Sequence, residues 1–247
     1  MAEERAAVEI VNPAGIAPYV LLCEHASNWM PPDYDGLGLG CADLERHIAW
    51  DIGAASVARR LAAKLDAPLV LGGASRLLID LNRPLSSPTS IPERSEATDI
   101  PGNLNLGEGE RQRRAARWFH PFQEAVGALL DERQRARRPT RIVAIHSFTP
   151  VFLGVARPWR AGILYRHASA FASALVDALG GAAAGIAHNE PYRIEDGGDY
   201  TVPVHGEARG LDAVLVEIRH DLIAAPKGQA DWADALARAL ARALTAI

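Results

Sequence analysis

Cysteine is nearly absent from this chain: Cys23 and Cys41 are its only two in 247 residues. That is too few for a disulfide framework or a cysteine-based metal site, and both read as small core residues. An excess of one charge is missing too, with 26 basic against 30 acidic side chains and a net charge of -4. Without such an excess there is no general electrostatic footprint for nucleic acid, and the basic clusters at 111–117 and 133–141 read as solvated helix faces. No apolar run approaches the roughly 20 residues of a membrane span. The amino-terminal MAEERAAVEI begins acidic and lacks the basic and apolar regions of a secretory signal, so a cytoplasmic protein is expected. Phosphate-loop chemistry is excluded as well. Gly36-Leu37-Gly38-Leu39-Gly40 and Gly72-Gly73 lack a Lys-Ser/Thr ending or dinucleotide spacing, and no Gly-x-Ser-x-Gly elbow occurs.

What is present is ordinary globular composition, 49% hydrophobic and 23% charged, with no linker to divide it. One domain over residues 1–247 is expected. Strand-like apolar runs lie at 18–23, 68–72, 77–81, 141–145, 151–155, 161–165 and 213–218, with helical stretches between most of them. Leu44, Ile48, Ile52, Ala55, Ala58 and Ala62 recur at helical spacing behind Asp43 as N-cap, which predicts one continuous helix. A second helical region runs over 108–138, kinked or divided at Pro121. A third carries Phe171, Leu175 and Leu179 and stops near Gly180 and Gly181; the last aligns Trp232, Leu236, Leu240 and Leu244 on one stripe. Strands that are apolar throughout imply a sheet covered on both faces. The fold class is therefore α/β, with a mixed, mainly parallel sheet flanked by helices. Two irregular stretches, 85–106 and 188–210, are long enough to be functional loops.

Three of the strand-like runs end in chemistry. Ala213 to Ile218 carries Glu217 and leads into Arg219, His220 and Asp221; Arg141 to Ile145 leads into His146-Ser147; Tyr19 to Cys23 leads into Glu24-His25. Either histidine alone would be an ordinary hydrogen-bonded side chain at a loop edge. Together, at strand ends where α/β sheets place ligands, they suggest a metal pair with a strand-end glutamate beside it. For the third ligand, a helix from Asp43 would project His47 and Asp51 from one face, which makes Asp51 the first choice. Glu24 is the alternative, although as neighbour of His25 on an extended strand it should face the other way; His47 is another. Glu217 would then be the general base, or else a buried partner of Arg219. Between Ser75 and Pro84, Arg83 with Asn82 suits an anionic group, and Arg76 suits an oxyanion; the alternative is that these arginines pair with Asp80 or Glu217. In the second irregular stretch Asn189, Glu190, Tyr192, Tyr200 and His205 could close over a substrate.

These pieces resemble the N-formylglutamate amidohydrolase family over most of the chain. The resemblance is carried by Cys23-Glu24-His25-Ala26-Ser27, by His47 through Ala54, by Ser75-Arg76 and Asp80 through Pro84, by Ile91 through Ser95, and by Glu217-Ile218-Arg219. It implies a relationship to zinc carboxypeptidases and aspartoacylases and a zinc-exopeptidase-like architecture. One zinc ion is implied, with His146-Ser147 matching a zinc-ligand motif; the wider group's His-x-x-Glu becomes His25-Ala26-Ser27-Asn28 here, so the resemblance leaves the third ligand open and the set His25, His146 and Asp51 rests on the residues themselves. The resemblance also implies Glu217 as the catalytic glutamate and Asn82 with Arg83 as contacts to a substrate carboxylate; Arg76 at the oxyanion and Arg219 as a further substrate contact are read from the residues themselves. The implied substrate is a small anionic N-acyl amino acid such as N-formyl-L-glutamate, cleaved to formate and L-glutamate. The alternatives are a zinc peptidase for short peptides and a non-catalytic anion-binding relative.

Overall fold

Strand side chains alternate between two apolar environments, and this period of two sets the architecture. Residues 5–246 are described in a computed structural model; residues 1–4 and 247 lie outside them, so the reading of the amino-terminal segment falls partly beyond the described residues. Seven strands form one sheet: β1 (Val8–Val11), β2 (Tyr19–Cys23), β3 (Leu69–Gly72), β4 (Arg141–Phe148), β5 (Ala161–Leu164), β6 (Ile186–His188) and β7 (Ala213–Arg219). Their order is β1-β3-β2-β4-β7-β5-β6. The β3-β2, β2-β4, β4-β7 and β5-β6 pairs are parallel, whereas β1 on β3 and β7 on β5 are antiparallel. The mixed, mainly parallel sheet expected from the sequence is therefore present.

On one face Leu21, Cys23, Val143, Ile145, Val214 and Val216 pack against α1 (Ala54–Leu65), α4 (Ser169–Ala178) and α5 (Pro226–Ala246). On the other, Val20, Leu22, Ile142, Ala144 and Leu215 meet α3 (His120–Arg135), the 115–119 stretch that joins it to α2 (Glu108–Arg114), and the apolar loop 74–81. Both faces are covered, as the continuous apolar strands required. No described helix is long and apolar enough to cross a membrane.

Several element expectations need correction. The helix predicted from Asp43 is two pieces, a single turn at Cys41–Leu44 and α1, separated by turns over 45–53. Gly53 adopts φ +81°, and a Cβ there would lie 2.3 Å from the Ile223 carbonyl oxygen, so the chain turns sharply before α1 can start. The run at 77–81 is no strand. Its carbonyls are satisfied by side chains instead: Asn103 donates to Leu77 O, Arg114 to Leu78 O and Gln123 to Leu81 O, which lets an apolar loop be buried without a ladder. The 151–155 run is an exposed hairpin, Val151–Phe152 against Val155–Ala156. Pro121 does not break its helix. Ahead of it the ladder widens into a π-helical stretch over Ala115–Phe119, with the His120 N–H donating to Ala115 O, and the chain continues as α3. In α5 the buried stripe ends on Ala243, and Leu244 is exposed.

Candidate active site

Sheet register explains how distant residues meet. Glu217 on β7 pairs with His146 on β4, and Leu22 on β2 pairs with Ala144, so two residues further along β2 and β4 stand Glu24 and His146. Glu24, His146 and Glu217 thus form a row across three neighbouring parallel strands at their carboxyl ends, all three buried. His25, one residue beyond Glu24, comes over the sheet edge. Asp51 is brought to it by the 45–53 turns, whose backbone is fastened at several points. The Asp51 N–H donates to His25 O at 3.0 Å, Ser75 Oγ donates to Ala49 O at 2.8 Å, and Ser147 Oγ donates to Ile52 O at 2.9 Å.

The three predicted metal ligands converge. Asp51 Oδ2 lies 3.4 Å from His25 Nδ1 and 2.9 Å from His146 Nδ1, and one ligand atom from each residue lies within 4.8 Å of the others. A tetrahedral ion with bonds of about 2.0–2.1 Å spaces its ligand atoms by about 3.3 Å, so the cluster has the dimensions of such a site. Behind it each imidazole meets a further carboxylate: His25 Nε2 is 2.7 Å from Asp80 Oδ1, and His146 Nε2 is 3.1 Å from Glu24 Oε2. Glu24 is fixed in turn by the Thr201 hydroxyl. Carboxylates behind metal-binding histidines are the usual device for fixing ring orientation and tautomer. Glu24 therefore faces away from His25, as strand geometry requires, and supports His146 from behind. His47, the other alternative ligand, does not share a helix face with Asp51; it sits 3.5 Å from Glu96 and stacks on His220.

Charge gives a second test of the metal fit. Burial opposes ionisation of Asp51, yet His25 and His146 hold its carboxyl far below the ordinary range. Burial likewise opposes Asp80, and Arg76 and His25 keep it ionised; in Glu24 burial is outweighed by His146. Of these carboxylates, Asp80 and Asp51 face the Arg76 guanidinium, at 2.6 Å from Asp80 Oδ2 and 3.4 Å from Asp51 Oδ1, whereas Glu24 faces His146. With three ionised carboxylates and Arg76 beside only two of them, the cluster keeps a negative excess, which suits a cation. In this structure the imidazoles answer that charge. Burial disfavours their protonation, but Asp80 and Asp51 raise the pKa of His25, and Glu24 and Asp51 raise His146 well above the ordinary value.

Glu217 is the exception in this cluster. Burial, with the charge of Asp51 adding to it, raises its pKa to about 7, and its Oε2 has no hydrogen-bond partner among the described residues. It lines a cleft of about 720 Å³ together with His25, Asp51, Arg76, Asp80 and His146. Asn82 and Arg83 also line the cleft. Asn82 is largely committed to the chain itself: its Oδ1 accepts from the Tyr200 and Thr201 N–H groups and its Nδ2 donates to Asp199. Arg83 uses Nη1 on Gly198 O and Asp199, while its Nε–Nη2 edge has no partner among the described residues. Arg219 is not brought to the cleft. Its guanidinium pairs with Asp221 and reaches the carbonyls of Arg157, Pro158 and Trp159, so it braces the end of β7, contrary to the expected substrate contact.

Of the second irregular stretch, Asn189, Glu190 and Tyr192 line the cleft. Tyr200 and His205 pack inward instead, against Phe119 and Gln123 respectively. Sequence reasoning missed Asp80 as a partner of His25 and Thr201 as a partner of Glu24. Asp80 had one signal, a carboxylate four residues from Arg76; Thr201 had none.

The model of the family described as N-formylglutamate amidohydrolase matches residues 17–224. Among solved structures, gene product Atu2144 from Agrobacterium tumefaciens is 42% identical, with a TM-score of 0.94 over 97% of this chain and 95% of that one. N-formylglutamate amidohydrolase from Ralstonia eutropha JMP134 is 16% identical, with a TM-score of 0.67 over 98% of each chain, a likeness of fold. No curated protein matches the sequence.

Proposed function

The chain belongs to the N-formylglutamate amidohydrolase family, and from that premise we propose that it hydrolyses the amide of a small anionic N-acyl amino acid, N-formyl-L-glutamate being the family's own substrate, with one zinc ion on His25, Asp51 and His146. The observation that carries this reading is the pairing of that ligand cluster with Glu217, a buried carboxylate whose Oε2 has no partner, in one cleft. A divalent ion bound there supplies Lewis acidity for the acyl carbonyl and a lowered water pKa.

The protein's own residues supply the rest. Glu217, near pKa 7 and unpartnered, accepts a proton from water as its oxygen bonds to the acyl carbon, then delivers that proton to the amide nitrogen as the C–N bond breaks. Arg76 steadies the oxyanion, held in place by Asp51 and Asp80. Arg83 offers its free Nε–Nη2 edge to a substrate carboxylate, a bidentate match. Asn82 supports this indirectly by fixing the backbone of residues 200–201. Asp80 and Glu24 hold the two imidazoles in orientation.

The test is hydrolysis of N-formyl-L-glutamate by purified protein of measured metal content. Formate release dependent on the metal supports the reading. Preference for C-terminally free peptides would move the protein to the peptidase alternative, and metal binding without turnover of either substrate would leave a non-catalytic relative.

A further inference from the structure

Four arginines line the cleft: Arg76, Arg83, Arg94 and Arg193. Three of them are answered by carboxylates, Arg76 by Asp80 and Asp51, Arg83 by Asp199 at 3.4 Å, and Arg94 by Asp99 at 3.3 Å. Arg193 makes no hydrogen bond or ion pair with any described residue. Its backbone is nonetheless fixed on both sides. The preceding Tyr192 takes a 2.8 Å hydrogen bond from Arg157, whose guanidinium also lies 4.7 Å from the Tyr192 ring centroid, and Arg157 packs over Phe152 as well. The following Ile194 is buried in the core on the α3 side of the sheet. An anchored backbone that presents an unpaired guanidinium to a cleft spends little ordering entropy when an anion binds, and the planar fork of arginine matches a carboxylate.

We propose that Arg193 is a specificity-determining residue, taking the second carboxylate of a dicarboxylic N-acyl amino acid while Arg83 takes the first. This rests on the reading of the cleft as an N-acyl amino acid site. It goes beyond that reading by assigning acidic side-chain preference to one residue that forms no part of the ligand cluster. Two carboxylates on one substrate call for two cations: Arg193 is wholly uncommitted and Arg83 keeps its Nε–Nη2 edge free, whereas Arg94, which pairs with Asp99 through Nη1, is more than half exposed.

The experiment has a binding arm and a kinetic arm. Calorimetry compares glutarate with glutaramate, its monoamide, on the metal-loaded wild type and on Arg193→Gln and Arg193→Lys. The wild type is expected to bind glutarate roughly 10- to 100-fold more tightly than the monoamide, the scale of one charge-assisted contact. Arg193→Gln should lose most of that preference, and Arg193→Lys should keep part of it, retaining charge without the fork. In the kinetic arm, the ratio of kcat/KM for N-formyl-L-glutamate over N-formyl-L-glutamine should fall by a similar factor in Arg193→Gln, mainly through KM. An unchanged preference in Arg193→Gln, or no preference in the wild type, would overturn the assignment. If the wild type turns over neither formyl substrate but the glutarate preference depends on Arg193, the proposed reaction falls and the anion site stands.

Discussion

At the scale of the residue, Glu217 is distinguished by what it lacks. The other buried acids of the cluster are each held ionised by cationic neighbours, whereas Glu217 is raised to about 7 by burial and by Asp51. Groups poised near neutrality in a cleft are those that can both take and return a proton. Glu217→Gln is therefore expected to lower kcat by roughly 10²–10⁴-fold while metal content, measured by elemental analysis, stays at the wild-type level. Asp80→Asn removes the charge behind His25 and should weaken metal affinity about 10- to 100-fold in a chelator competition. His25, His146 and Glu217 were legible in the sequence because each closes an apolar strand-like run with a polar group. Asp80 and Thr201 were not, because their roles depend on where a loop and a π-helical turn deliver them, which no local spacing encodes.

At the scale of the element, the decisive piece is the 45–53 turn sequence. Periodicity read it as helix because Ile48 and Ile52 fall in phase with Leu44 and Ala55; Ile48 is indeed buried, but in turns fastened to Ser75, Arg76 and Ser147. Asp51 was thus the right neighbour for His25 for the wrong geometric reason. Gly53 is the hinge of that geometry, with positive φ and no room for a Cβ against Ile223. Gly53→Ala should destabilise the protein by more than about 1 kcal/mol in denaturant unfolding and weaken metal binding through displacement of Asp51. The apolar loop at 77–81 teaches a related lesson. Hydrophobicity predicted burial correctly, but Asn103, Arg114 and Gln123 took over the hydrogen bonding that would have made it a strand. Asn103→Ala, which orphans the carbonyls of Leu77 and Pro92, should cost about 1–3 kcal/mol in the same unfolding experiment.

At the scale of the whole molecule, a sheet covered on both faces was legible from strands apolar throughout, and the mixed, mainly parallel order follows from the helical crossovers between them. The edge strands β1 and β6 were not legible, being three or four residues long. That sheet also buries an unbalanced charge, which links metal to pH. Without a cation, His25 and His146 have folded pKa values raised above their ordinary 6.5, so their contribution to stability is present below 6.5 and lost as pH rises through the folded values. Glu217, raised from 4.5 to about 7, acts in the same direction between those values, because the folded state holds the proton that the unfolded state has released. Below 6.5 the histidines His47, His205 and His220, whose pKa values burial lowers, oppose Glu217, so metal-free protein should melt at progressively lower temperature as pH increases from about 6.5 to 8. Stabilisation by added zinc should grow over the same interval, since binding displaces protons from the ligands; thermal melts with and without zinc across this range check both signs.

The central claim is that one ion on His25, Asp51 and His146 works with Glu217 on an N-acyl amino acid. It is tested most directly by titrating zinc into chelator-stripped protein while formate release from N-formyl-L-glutamate is followed. Activity absent at the start and rising linearly to a break at one equivalent is the predicted result. Full activity in the stripped protein, or a titration unaltered by Asp51→Ala, would contradict it.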